Sequence, residues 1–194
     1  MKELPRRLWH ILGGLCLPVA GLLVPENIFL LILTSATAVF VIFEAIRLRF
    51  PQVNQRFVNC FRALLREREA SEPTTSSYLL VAASIVFILC DKSIAAIVLT
   101  FVAVGDPIAG MVGGRWGRLR IRGKSLKGSG ACFMVCLVSG AILSSITHVA
   151  LWLIVVGAAC ATVTEFLSSS PNDNLTIPLI TGGVVSLINF AVIS

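Results

Sequence analysis

Residues 94–114 read IAAIVLTFVAVGDPIAGMVGG, an apolar run that meets Gly105-Asp106-Pro107 and passes into glycines. A bilayer core about 30 Å thick takes roughly 20 apolar residues per helix. The run starting at Ile94 has that character, and a basic, Gly-rich loop is expected to follow it from Gly113 to Gly130. An acid inside such a run is costly, so Asp106 is a functional candidate by default. Working outward, further apolar runs occupy residues 8–24, 28–46, 78–90, 131–147, 149–167 and 175–193. The 78–90 run has only 13 residues, so it spans by tilting, by thinning the bilayer or by borrowing Ser76 and Ser77. The expected fold is all-α: a polytopic integral membrane protein with about seven transmembrane helices, forming one transmembrane catalytic domain over residues 1–194.

Composition agrees. Of 194 residues, 56% are hydrophobic and 13% charged, and the mean hydropathy is +0.91. Soluble domains carry about 25% charge. An ordinary soluble domain, a disordered chain and a collagen-like fibre are excluded. Seven spans leave no room for a separate soluble catalytic domain, so any chemistry uses short loops and helix ends. The basic start could imitate a signal peptide, but Pro25-Glu26-Asn27 follows Val24 with no small-x-small cleavage site, and another apolar run comes next. The first run therefore reads as a retained helix. Six cysteines lie mostly in apolar runs without C-x-x-C spacing. They read as packing residues, Cys132 and Cys136 on one helix face, and no zinc site is expected.

The net charge is +6, from 16 Lys and Arg against 10 Asp and Glu. In a membrane protein such an excess reads first as topology and not as nucleic-acid binding. Three bases sit at the N-terminus (Lys2, Arg6, Arg7). Six lie between Arg47 and Arg68, and six between Arg115 and Lys127, making fifteen of the 16. If seven runs alternate, all three segments fall on one side, which predicts a cytoplasmic N-terminus. Within 47–77, Phe50, Val53, Phe57, Phe61 and Leu64/Leu65 recur at roughly helical spacing. This predicts a basic amphipathic helix on the cytoplasmic surface between the second and third spans, with a solvated linker helix as the alternative. His148 marks the turn between the fifth and sixth runs, residues 168–174 form a polar loop, and the Gly157–Ala161 step reads as helix packing.

Four acids, Glu44, Asp106, Glu165 and Asp173, fall at helix ends on the side of the bases. Acids beside bases suit a metal and a polyphosphate: hard Mg²⁺ takes carboxylate and phosphate oxygens, and Lys or Arg neutralises the rest. The richest segment carries Gly105, Gly110, Gly113, Gly114, Arg115 and Gly117, then Lys124, Ser125, Lys127, Gly128 and Ser129. Its glycines would let backbone N–H groups approach phosphate oxygens, and its lysines would act as point charges. An ordinary Gly-rich turn is the plainer reading. Neither a Walker A loop nor a Rossmann fingerprint is present. Arg6, Arg7 and His10 share one helical face, His10 being either structural or part of a site. Glu44 and Arg47, at i, i+3, either pair with each other or serve the site.

Together the motifs resemble the CTP-dependent lipid kinases, which include the CTP-using diacylglycerol kinases, dolichol kinase and phytol kinase. The resemblance rests on Arg6-Arg7-x-x-His10, on Glu44 and Arg47, on G-D-x-x-A-x-x-x-G at 105–113, on K-S-x-x-G-S at 124–129, on Glu165, and on D-N-x-x-x-P at 173–178 with Asn174. It covers nearly the whole chain with motifs in the same order. It implies transfer of the γ-phosphoryl of CTP to a lipid hydroxyl with Mg²⁺ or another divalent cation, at a site facing the cytoplasm. The membrane would be the inner or plasma membrane of a prokaryote, or the endoplasmic reticulum or a plastid membrane of a eukaryote. Arg6, Arg7, Asp106 and Gly113 match positions that the family associates with activity. Lys127 departs from the pattern, standing where the family often has an acid.

Phosphatidate cytidylyltransferases share a similar glycine-and-lysine block, but their basic, Asp-rich C-terminal signature has no counterpart here. A transporter of an anionic substrate is the third reading. Transporters place ionisable residues near the midplane, whereas these acids lie at helix ends. The expected partners are a nucleotide and a membrane lipid alcohol. The lipid's identity, the general base and a possible homodimer are left open.

Overall fold

The computed structural model describes residues 3–121, 123–168 and 173–193. Lys2, Arg122 and part of the expected 168–174 loop lie outside them. The elements are α1 (Glu3–Leu23), α2 (Glu26–Arg49), α3 (Pro51–Phe61), a 3₁₀ turn (Glu67–Ala70), α4 (Thr75–Leu89), α5 (Lys92–Trp116), β1 (Arg120–Ile121), β2 (Lys124–Ser125), α6 (Leu126–Thr147), α7 (Leu151–Leu167) and α8 (Asp173–Ile193). Among the described residues the chain is all-α apart from the short antiparallel hairpin, in which Arg120 pairs with Ser125 and Ile121 with Lys124.

Among the described residues, four helices are long and apolar enough to cross a membrane: α2, α5, α6 and the 173–192 part of α8. The apolar helices α4 and α7 are shorter. Exposed faces are themselves apolar, with Leu31, Ile32, Val39 and Ile42 on α2, Met134, Val138 and Ile142 on α6, and Leu187 and Phe190 on α8. A water-soluble monomer does not expose apolar surface on this scale; lipid-facing helices do, and the exterior is consistent with an integral membrane protein.

Helix α5 is the axis. It is apolar on all sides and buried along most of its length, as such a helix must be. Helices α1, α6, α7 and α8 pack around it. Small residues set the approach. A Cβ on Gly14 of α1 would lie 2.8 Å from Ala103 Cβ of α5. Gly105 faces Cys132 and Cys136, which are 2% and 0% exposed and act as packing residues. Gly157, Ala158 and Ala161 line the buried face of α7, as their spacing predicts.

Local chemistry places the ends. Thr74, Asp91 and Ser125 cap α4, α5 and α6, accepting hydrogen bonds from the N–H groups of Ser77, Ser93 and Gly128. His148 ends α6 in the left-handed conformation, φ 58°, so the turn predicted there is present.

Three expectations need correction. Helix α5 does not stop near Gly113. It runs through Pro107 to Trp116, because an apolar environment penalises an open backbone more than Pro or Gly penalises a helix. The expected 113–130 loop shrinks to the hairpin and its flanks, and α6 begins at Leu126. The predicted amphipathic helix keeps only 11 residues, Pro51–Phe61. The chain beyond it turns back over α2 because buried Arg47 claims its carbonyls.

Candidate functional site

The hairpin carries Lys124 across the end of the bundle to three carboxylates on three helices. Its Nζ lies 2.5 Å from Glu165 Oε1 of α7, 3.7 Å from Asp173 Oδ2 of α8 and 4.0 Å from Asp106 Oδ1 of α5. Ser129 of α6 donates a hydrogen bond to Glu165 Oε2 at 3.4 Å. Burial pulls the Lys124 ammonium down, but its hydrogen bond to Glu165 and the charges of Glu165, Asp106 and Asp173 outweigh that and hold it above the ordinary lysine value. Asp173 Oδ1 accepts from the Asn174 backbone and side-chain amides, both at 3.1 Å. Asp173 Oδ2 and Asn174 Oδ1 are buried and accept no hydrogen bond among the described residues. Three of the four predicted acids thus meet one predicted base.

Beside them is a chamber of about 230 Å³ that carries the charged side chains Asp106, Arg120, Lys124 and Glu165 with Ser129, and is otherwise walled mainly by glycines, most of them of α5 and α6. The glycines act differently from the expectation. Gly105, Gly110, Gly113 and Gly114 lie inside α5, where backbone N–H groups bond to carbonyls one turn back, so they do not cradle an anion. Their contribution is the missing side chain. A Cβ on Gly113 would lie 2.5 Å from Ser125 Oγ, whereas one on Gly110 or Gly114 would meet nothing within 4 Å. Gly113 and Gly117 make room for the Ser125 cap, and Gly110 and Gly114 leave the chamber open. Gly128 lets α6 touch α5, since its Cβ would lie 2.6 Å from the Ala109 carbonyl oxygen. Gly128→Ala is expected to destabilise the fold by about 1–3 kcal/mol, read as a lowered thermal midpoint in detergent. An unchanged midpoint would separate the two helices there.

A second, largely apolar chamber of about 400 Å³ also has Asp106 in its wall. Leu17, Phe40, Phe57, Phe61, Leu79 and Leu80 supply its walls, and Arg6, Arg7, His10 and Arg66 its polar end. Asp106 and Gly110 line both chambers.

Other predicted residues stand apart. Glu44 is not in the cluster. Arg47 Nε and Nη2 donate to its two oxygens at 3.1 and 2.9 Å, and the Thr74 amide and hydroxyl donate at 3.1 and 3.2 Å. The pairing alternative holds, and with its oxygens taken Glu44 leaves the metal-ligand set. Arg115 is exposed and lies over the Trp116 ring. Lys127, three residues after Lys124 in the first turn of α6, is exposed and lines neither chamber. Gly105 and Gly117 serve packing. Among the described residues, no group of three His, Cys, Asp or Glu side chains is arranged to hold a metal ion on its own. Two chamber bases were not singled out from the sequence, Arg66 and Arg120. Both belong to basic stretches whose members look alike until the backbone turns them.

The chain is 26% identical over 188 residues to RP860, an uncharacterized protein of Rickettsia prowazekii (strain Madrid E). The alignment covers 91% of this chain and 90% of that protein. No family profile matches the chain, and no solved structure matches it.

Proposed function

We propose that the protein is an integral membrane lipid kinase that transfers the γ-phosphoryl group of CTP to the hydroxyl of a lipid alcohol. The observation that carries this reading is Asp106, which lines both a small chamber bearing Lys124, Arg120 and Glu165 and a larger, largely apolar one. A reaction between a charged nucleotide and a lipid needs two such compartments sharing one reacting point. The choice of CTP, and of diacylglycerol, polyprenol or phytol as acceptor, rests on the sequence resemblance.

In this arrangement seven helices span the membrane, and the N-terminus, α3 and the hairpin lie on the cytoplasmic side, in keeping with the fifteen bases of those segments. Lys124 and Arg120 neutralise phosphate oxygens. Arg6 and Arg7 line the acceptor side and face charge on the phosphoryl group in transit. Asp106, Glu165 and Asp173 offer only oxygen, but they converge on the Lys124 ammonium, and among the described residues they are not arranged to hold a metal ion by themselves. A hard divalent cation would come with the CTP phosphates, and these carboxylates are the protein oxygens that would face it. The ion would supply charge neutralisation on the transferred group. Positioning and electrostatics carry most of the acceleration in phosphoryl transfer.

The test is purified protein with γ- or α-labelled CTP and a panel of lipid alcohols and phosphatidate. Label from the γ position in a lipid monophosphate is expected. Label from the α position entering the lipid would instead mark a cytidylyltransferase. Asp106→Ala is expected to lower transfer by about 10²–10³-fold while the protein still inserts into the membrane. Full turnover in that variant would remove Asp106 from the reaction.

A further inference from the structure

The lipid kinase reading does not say where the acceptor sits or which group takes its proton. We infer that the 400 Å³ chamber seats the lipid alcohol and that His10 Nε2 accepts the hydroxyl proton, an inference that rests on that reading.

Three side chains lining the chamber could take a proton: His10, Glu69 and Asp106. Glu69 is occupied. Its Oε2 accepts from the Arg66 amide at 2.7 Å, and its Oε1 accepts from the Thr75 amide at 2.7 Å and from the Thr75 hydroxyl. It caps α4 and ties down the chain before it. Asp106 faces the Lys124 ammonium at 4.0 Å and lines the smaller chamber as well, which suits it to a cation rather than to a neutral hydroxyl. His10 Nε2 is buried and has no hydrogen-bond partner among the described residues. A buried polar atom left open is costly. His10 lines the largely apolar chamber, and a lipid hydroxyl that reached Nε2 would satisfy it.

The step balances. The hydroxyl oxygen forms the new O–P bond to the γ-phosphorus. The bond from that phosphorus to the β-bridging oxygen breaks, its electrons leaving with the nucleoside diphosphate. The hydroxyl proton moves to Nε2. The imidazolium so formed shares the chamber with the carboxylates of Asp106 and Glu69 as well as with Arg6, Arg7 and Arg66.

Two variants of the full-length protein test this. A Cβ on Gly13, which lines the chamber, would meet nothing within 4 Å, so Gly13→Leu fills the chamber without displacing a neighbour at its first carbon. It is expected to raise the KM for the lipid alcohol about tenfold or more and to leave the KM for CTP unchanged. His10→Gln is expected to lower kcat by about 100-fold or more while leaving the KM for CTP unchanged. A His10→Gln enzyme with near wild-type kcat, or one whose only change is a raised KM, overturns the proton-acceptor role. A photoactivatable lipid alcohol, applied without nucleotide, gives the independent readout. Labels on Leu17, Phe40 or Leu80 that disappear in Gly13→Leu support the acceptor seat, and labels elsewhere overturn it. If the wild type moves no γ-phosphoryl to any alcohol while those labels form, the kinase reading and the proton transfer fall together and the lipid seat stands.

Discussion

Replacing Lys124 with methionine is expected to silence phosphoryl transfer and to cost about 3–5 kcal/mol of stability at neutral pH, the usual penalty for leaving buried charges without their counter-ion. The Lys124 side chain is 22% exposed, and three carboxylates from three helices lie within 4.0 Å of its ammonium. Methionine keeps the length and removes the charge, so Asp106, Glu165 and Asp173 are left repelling one another. The pH dependence has a definite sign. The folded state holds the Lys124 pKa above its ordinary value despite burial, through Glu165, Asp106 and Asp173. Its stabilisation is complete below the ordinary lysine pKa and is lost as pH climbs through the raised folded value. The difference in thermal midpoint between wild type and Lys124→Met therefore stays constant from neutral pH up to the lysine range and narrows only beyond it. A Lys124→Met/Glu165→Gln double variant recovers part of the loss, because one of the three carboxylates is neutralised. Equal melting of wild type and Lys124→Met at neutral pH would mean that the ammonium does not hold the helix ends together.

The long apolar runs made most of the helices readable, because in lipid a backbone without its own hydrogen bonds is too costly to tolerate. The same physics hid the end of α5. Pro107 and the glycines from 110 to 117 punctuate a soluble chain, but here all except Gly117 lie within one continuous helix. Alternating spans lead to the expectation of all four acids at helix ends; Glu165 and Asp173 do stand at the ends of α7 and α8, but Asp106 meets them from inside α5, because that helix runs on to Trp116. Which base would meet them did not follow from alternation. Lys124 and Lys127 are three residues apart at a strand-to-helix junction, and only the hairpin register turns the first inward while the helix turns the second out. Glu44 was ambiguous for a different reason. Its i, i+3 spacing to Arg47 suited a pair or a site equally, and the deciding partners, Asn54, Glu69, Glu72 and Thr74, lie further along the chain.

That network yields the other large expected effect. Arg47 is fully buried, and beyond its pair with Glu44 its Nη1 donates to Asn54 Oδ1 at 2.8 Å and to the Glu69 carbonyl at 3.1 Å, and its Nη2 donates to the Glu72 carbonyl at 2.9 Å. Its guanidinium also lies 4.8 Å from the centre of the Phe57 ring. One planar fork thus ties α3 and the 62–74 segment to the end of α2. Arg47→Met is expected to cost about 3–5 kcal/mol, because Glu44 stays buried without its cation and two carbonyls lose their donor. Arg47→Lys also fails, since a single ammonium cannot serve acceptors fixed by a planar five-donor group. Arg47→Met/Glu44→Leu is expected to regain part of the loss by removing the stranded carboxylate. The functional consequence should be one-sided. The tethered segment supplies Phe57, Phe61, Leu64, Leu65 and Arg66 to the apolar chamber and nothing to the polar one. Where Arg47 variants retain enough fold to assay, the KM for the lipid alcohol rises while the KM for CTP holds. A parallel rise in both would show that the tether supports the bundle end as a whole rather than the acceptor seat.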